Sequence, residues 1–249
     1  MTLALLPQAP ETLEGLRVND EAEAAARGLA LVLGRDHEGR LALWRPCERA
    51  VPLCVDFLSG SLGYRLGADR TLHERLVRAV GRPAADGEHL IDATAGLGRD
   101  AALLAGAGWQ LTLLERSPVL HALLADGLAR LREQQSELAG RMALYQGEAA
   151  ELLAGMRATV VYLDPMFPER RKSAAVRKPL QWLQQLESPL SAEEEARLLE
   201  RARAAASRRV VIKRPLRVPP LAGRKPGHSL RGRSVRFDVH PCDSPGGGG

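Results

Sequence analysis

From about residue 88 onward, short apolar runs alternate with amphipathic stretches, and this alternation restricts the fold more than any other feature of the chain. Leu90-Ile91-Asp92-Ala93, Leu111-Thr112-Leu113-Leu114-Glu115, Met142-Ala143-Leu144-Tyr145, Thr159 to Leu163 and Arg209-Val210-Val211-Ile212-Lys213 read as strands. Helices are expected over Asp100 to Ala107, Pro118 to Arg132, Glu148 to Leu153 and Ala192 to Ala206, with a last strand at Val235 to Val239. Strands that are apolar throughout, each followed by a helix, build a mostly parallel sheet covered on both faces. The expected class is therefore α/β.

The part ahead of this pattern reads differently. Leu29 to Leu33 and Leu41 to Trp44 flank the turn-like Asp36-His37-Glu38-Gly39, which predicts a β-hairpin, and Val51 to Phe57 offers a further strand. Thr71 to Val80 reads as an amphipathic helix. Residues 1–84 are thus expected to form a small β-rich N-terminal lobe packed on, or lidding, a main domain over 85–240. The glycine-rich 241–249 is expected to be a disordered tail.

Length and composition suit this plan. The chain has 249 residues, enough for one large domain with a small lobe. It contains no run approaching the roughly 18 apolar residues of a membrane span, and its start lacks the pattern of a secretory signal. Cys47, Cys54 and Cys242 form no metal-spaced pair, so reduced thiols in a cytoplasmic protein without a metal site are expected. The net charge of +5 conceals an asymmetry: Arg201 to Phe237 holds twelve Lys or Arg and no acid, leaving 23 basic against 30 acidic residues elsewhere. So one-sided a segment favours a polyanion such as nucleic acid, since each neutralised phosphate releases counterions. A solvated face in an arginine-rich chain would look similar.

The chemistry concentrates at strand ends. Asp164-Pro165-Met166-Phe167-Pro168 follows the run Val160-Val161-Tyr162-Leu163, and ligands in open parallel sheets bind at the carboxyl ends of strands. Prolines stiffen the backbone, Phe167 offers a stacking face, and Asp164 with the Pro165 carbonyl can accept hydrogen bonds from an amino group. That set suits a planar substrate with an exocyclic NH2, although a strand-to-loop turn whose Phe fills the core reads these five residues as well. The first strand runs into Asp92-Ala93-Thr94-Ala95-Gly96-Leu97-Gly98-Arg99-Asp100, where Gly96 and Gly98 permit close approach of a ligand to a helix start. Gly96 to Ala101 also matches the dinucleotide fingerprint G-x-G-x-x-A, which keeps a nicotinamide-dependent oxidoreductase open. Asp92, Glu115 and Glu148 favour S-adenosylmethionine instead. That cofactor has no pyrophosphate to cradle, and its cationic tail welcomes carboxylates.

Ile91-Asp92-Ala93-Thr94-Ala95-Gly96-Leu97-Gly98-Arg99-Asp100-Ala101 followed by Val161-Tyr162-Leu163-Asp164-Pro165-Met166-Phe167-Pro168 resembles the ribosomal RNA small-subunit methyltransferase J family, from roughly residue 39 to 240. The resemblance implies a class I, Rossmann-like, S-adenosylmethionine-dependent enzyme that methylates the exocyclic N2 of one guanine in 16S rRNA, with that rRNA or the small subunit as its partner. It assigns cofactor contacts to Arg99, Asp100, Glu115, Arg116, Glu148, Ala149 and Asp164. Asp92, Gly96 and Gly98 join them on position, and Asp164, Pro165 and Phe167 form the expected catalytic set. Arg170, Arg171, Lys172, Lys213 and Arg214, with Arg224, Lys225, Arg231 and Arg233, are the candidate phosphate contacts. Three positions depart from the general pattern: Thr94 stands for a glycine, Met166 for a proline, and Glu148-Ala149 for small hydroxyl residues. Adenine-N6 methylation of nucleic acid and a non-catalytic RNA-binding module remain alternative readings of the same residues.

Overall fold

The computed structural model describes residues 3–49, 51–85, 87–166, 182 and 188–242. Its main body is a seven-stranded sheet of β5 (His89–Asp92), β6 (Gln110–Glu115), β7 (Met142–Gln146), β8 (Ala158–Leu163), β9 (Ala206–Pro215), β10 (His228–Arg231) and β11 (Val235–Pro241). The strand order is β10-β11-β9-β8-β5-β6-β7. The five strands from β5 to β9 pair in parallel, and β11 and β10 close one edge antiparallel. Order reverses between β5 and β8, the switch point where open α/β sheets bind ligands. Asp92 and Asp164 lie at the carboxyl ends of these two strands.

Side-chain alternation divides the sheet's apolar residues between two cores. Leu90, Leu113, Val160, Tyr162 and Val211 pack with α4 (Arg75–Val80), α5 (Arg99–Gly106), α6 (Pro118–Gln134) and α7 (Ser136–Gly140). Ile91, Leu114, Val161, Leu163, Val210 and Ile212 pack with α8 (Ala149–Leu152) and α9 (Ala192–Ala205). Ser191 starts α9 with a capping box, its hydroxyl accepting from the Glu194 N–H while the Glu194 carboxylate accepts from the Ser191 N–H.

The N-terminal part forms a four-stranded sheet, β2-β1-β3-β4, from β1 (Leu3–Leu5), β2 (Leu16–Arg17), β3 (Leu31–Arg35) and β4 (Leu41–Trp44). The expected hairpin is β3–β4, turning at Gly39 with φ 76°. Leu5, Leu31, Leu33, Leu41 and Leu43 are at most 2% exposed and share one core with Leu124 and Leu128 of α6. Each such burial contributes about 1.5–3 kcal/mol, so apolar packing outweighs the Arg35–Asp126 surface pair (2.9 Å), a kind worth about 0–1 kcal/mol. α1 (Glu21–Ala26) completes this layer.

Several elements depart from the sequence expectation. Val51 to Phe57 is no strand and makes a single bridge, Leu43 to Leu53. The helix over Thr71 to Val80 is broken: α2 (Gly60–Arg65) and α3 (Ala68–Thr71) precede α4, and Glu74 between them is extended with its carboxylate on Arg65. β9 runs to Pro215 because β11 pairs with it beyond the end of β8, and Pro241 is the last residue of β11 rather than the start of a tail. Residues 243–249 lie outside the described residues. Among the described residues no helix is long and apolar enough to cross a membrane.

Candidate active site

The loop after β5 is held on both sides by continued pairing. The Ala93 N–H donates to the Tyr162 carbonyl (3.0 Å) and the Ala95 N–H to that of Leu114 (3.0 Å). Asp92 Oδ1 accepts from the Thr94 N–H at 3.1 Å, while the Glu115 carboxylate accepts from the Gly96 and Ser117 N–H groups at 2.7 and 2.8 Å. Thr94, which stands where a glycine was anticipated, uses its hydroxyl to accept from the Asp164 N–H at 2.6 Å and so ties the two strand ends together. Gly96 and Gly98 both have positive φ, 53° and 69°. At Gly98 space is also short, since a β-carbon would lie 2.6 Å from Leu124 Cδ1 and 3.2 Å from Phe57 Cζ.

Around this loop lies a cleft of about 680 Å3. Asp92, Gly96, Arg99, Asp100, Glu115, Arg116, Glu148, Ala149 and Asp164 all line it, bringing nine of the ten candidate cofactor residues together. Gly98 does not line it; its glycine is required by packing against Phe57 and Leu124. Glu115 lines the cleft and, at 5% exposure, its carboxylate also clamps the glycine loop through two backbone donors. The Arg116 guanidinium donates to the Ser188 carbonyl (2.6 Å) and lies 3.6 Å from the Glu148 carboxylate.

Lys213 does not sit on an exposed phosphate-binding rim as expected. Its Nζ lies 2.7 Å from Asp100 Oδ2 and 2.8 Å from Asp164 Oδ2, inside the cleft. Arg214 also departs from the expectation: it is 3% exposed, donating to the Pro219 carbonyl and pairing with Glu195. Alternation along β9 explains the pair, for successive residues point to opposite faces and both find carboxylates there. Pro165 is buried, and Met166 rather than Pro165 lines the cleft. Phe167, Arg170, Arg171 and Lys172 lie outside the described residues.

Sequence reading missed Tyr162 and Arg65. Tyr162 Oη donates to Asp100 Oδ2 at 2.6 Å, and its position two residues before Asp164 on one strand was the available signal. Arg65 enters the cleft from α2, distant in sequence and without a local motif.

The electrostatics favour a cationic ligand. Asp92 is 1% exposed, and among the described residues it has one backbone donor and no ion pair. Burial, with the nearby charges of Asp100, Asp164 and Glu115, pushes its carboxyl up to about 8. Burial also raises Asp164, with Lys213 opposing and Asp100 adding to the rise. Lys213 itself is raised because the two carboxylates outweigh its desolvation. A buried carboxylate short of a cation, beside a glycine loop and further acids, fits the sulfonium and amino-acid tail of S-adenosylmethionine. Asp92, Asp100, the Gly96 loop and Glu148 would hold it.

Known proteins agree. A family model described as a putative SAM-dependent methyltransferase matches residues 17–242. The ribosomal RNA small subunit methyltransferase J of Alcanivorax borkumensis is 49% identical over 240 residues, 96% of each chain. The protein of the same name from Thioalkalivibrio sulfidiphilus is 43% identical, covering 91% of this chain and 94% of its own. Among solved structures, a SAM-dependent methyltransferase from Neisseria gonorrhoeae superposes with a TM-score of 0.70 at 30% identity, over 96% of each chain. The fold is thus class I and Rossmann-like, the cofactor is S-adenosylmethionine, and the nicotinamide alternative is set aside. The chain belongs to the ribosomal RNA small subunit methyltransferase J family of SAM-dependent methyltransferases.

Proposed function

We propose that this enzyme methylates the exocyclic N2 amine of one guanine in 16S rRNA, with Asp164 as the residue that receives the amine. Support for RNA of the small subunit comes from the names of the relatives. The choice of an amine rests above all on one observation. At the end of β8, in the cleft, Asp164 has one carboxylate oxygen fixed by Lys213 and its N–H fixed by Thr94.

S-adenosylmethionine supplies an electrophilic methyl group on a positively charged sulfur. The chain's own task is placement. The guanine N2 lone pair is delocalised into the ring, so an acceptor that binds the amine hydrogens turns electron density toward the incoming carbon. Asp164 Oδ2 is occupied by Lys213, while Oδ1 has no partner among the described residues and is the acceptor for one amine hydrogen. Holding both reactants at near-attack distance can lower the barrier by about 7–11 kcal/mol in favourable cases. The alkylated nitrogen is acidic, and Asp164 Oδ1 takes its proton. Lys213 favours the ionised form of Asp164 for that step, and Tyr162 shares the load on Asp100.

The test is transfer of labelled methyl from S-adenosylmethionine to small subunits isolated from cells lacking the enzyme, followed by nucleoside mass spectrometry. N2-methylguanosine at a single site is expected. N6-methyladenosine, or no modified nucleoside, would overturn the assignment.

A further inference from the structure

We propose that a basic strip from the cleft mouth over α2 and the start of α4 to the β10–β11 turn is the track for an RNA strand, with Tyr64 as the platform for one unpaired base. This rests on the substrate reading above. The strip is continuous through named contacts. Arg65 lines the cleft, and Glu74 grips its guanidinium at 2.6 and 3.0 Å. The next residue, Arg75, is exposed and runs along Gly232, where a β-carbon would stand 3.7 Å from Arg75 Cδ. Gly232 is flanked by Arg231 and Arg233, both exposed.

Some surface arginines meet carboxylates, as in Arg27–Glu23 and Arg141–Glu137. Arg75, Arg231 and Arg233 have no carboxylate partner among the described residues. Three uncompensated guanidinium groups beside the Glu74-paired Arg65 of the cleft make the charge pattern of a phosphate track. The aromatic makes it selective for an unpaired strand. Tyr64, one residue before Arg65, is 64% exposed, and the Arg70 guanidinium covers one face of its ring at 3.9 Å. Arg70 Nη1 also donates to the Tyr64 carbonyl at 3.2 Å, which holds the stack in place. A base stacked on such a ring contributes without sequence preference, and bases splayed from single-stranded segments are what RNA-modifying proteins stack on aromatics.

The experiment measures methyl transfer to small subunits, and its dependence on salt, for the wild-type enzyme and four variants. In the combined Arg75→Glu, Arg231→Glu, Arg233→Glu variant the log–log salt slope should become shallower by about 2 to 3, at roughly 0.7–0.9 per lost phosphate contact, and KM for the subunit should rise. Tyr64→Ala should raise KM about fivefold or more with the slope unchanged, as loss of one stacked base requires. Arg75→Glu alone should weaken binding more than Arg27→Glu, which changes the net charge equally but lies just past the end of α1. The thermal shift given by S-adenosylhomocysteine reports folding and should be the same in all. A wild-type-like slope in the triple variant, or equal effects of Arg75→Glu and Arg27→Glu, would overturn the strip. Absence of any transfer by the wild-type enzyme would instead overturn the substrate reading, and the strip with it.

Discussion

Lys213 reaches Asp164 across a single strand pairing. β8 and β9 run parallel with Leu163 opposite Ile212, so the next residue of each strand projects from the same sheet end, and the two side chains meet at 2.8 Å. The same ammonium lies 2.7 Å from Asp100 at the start of α5. One cation therefore serves two carboxylates that would otherwise repel each other, and in the proposed mechanism only one of them bears on the amine.

Replacing Lys213 by Met should expose that division. Lys213 opposes the rise in the Asp164 pKa, so without it the carboxyl titrates higher. The acidic limb of the kcat/KM–pH profile should move to higher pH, while Lys213→Arg should restore it in part. A limb that stays in place would show that Lys213 does not set the ionisation of Asp164.

Asp164→Asn keeps the shape of the side chain but removes the proposed proton acceptor. General-base contributions run to about 10²–10⁴ in rate, so kcat should fall by at least about a hundredfold. Binding of S-adenosylhomocysteine, measured by calorimetry, should change little, because Asp92 and the Gly96 loop remain. Loss of affinity in step with rate would move Asp164 from the amine to the cofactor.

Tyr162→Phe separates the two partners of Asp100. The hydroxyl donates to Asp100 at 2.6 Å, but Lys213 remains on the same oxygen. Stability should fall by about 1 kcal/mol in urea unfolding, the net worth of such a bond, and turnover should stay within about tenfold. A loss as large as that of Asp164→Asn would make Tyr162 part of the proton path.

Much of this is legible in the amino-acid sequence. The apolar runs around Ile91, Leu113, Val161 and Val211 announced a parallel sheet because strands buried on both faces carry no polar alternation. Asp92 and Asp164 announced the site because both end such strands. β10 was not legible: His228 to Arg231 is an edge strand with almost no buried side chain, so it lacks an apolar signal. Lys213 and Arg214 look like phosphate contacts in the sequence because composition cannot tell which way a strand residue points. Register could have placed Lys213 beside Asp164. Nothing local could have brought Arg65 to the cleft, since that depends on how α3 and α4, which follow it, dock on α5.

Gly98→Ala tests a position where conformation and space agree. The residue has φ 69°, and the added methyl would come 2.6 Å from Leu124 Cδ1. A left-handed conformation costs an L-residue about 1–2 kcal/mol, and overpacking typically adds about 1–3. Stability should therefore fall by about 2–5 kcal/mol, read as a lower midpoint in urea. Gly140→Ala, with nothing within 4 Å of the new carbon and no positive φ, should cost far less. Similar losses in both would refute the packing account of Gly98.

Asp92 gives the chain a pH dependence of known sign. Burial raises its carboxyl from the ordinary 3.8 to about 8 in the folded protein. Between these values the folded state binds a proton that the unfolded state has released, so stability falls as pH rises. The contribution is fully present below pH 4, declines through the neutral range and is gone above about 8. Asp92→Asn retains an oxygen for the Thr94 N–H and does not titrate, so urea midpoints of the ligand-free protein should decline less from pH 5 to 8 than in the wild type. A cation seated in the cleft favours ionised Asp92, and S-adenosylmethionine should therefore flatten the wild-type decline as well. Parallel pH profiles for wild type and Asp92→Asn would mean that Asp92 is already ionised when the cleft is empty.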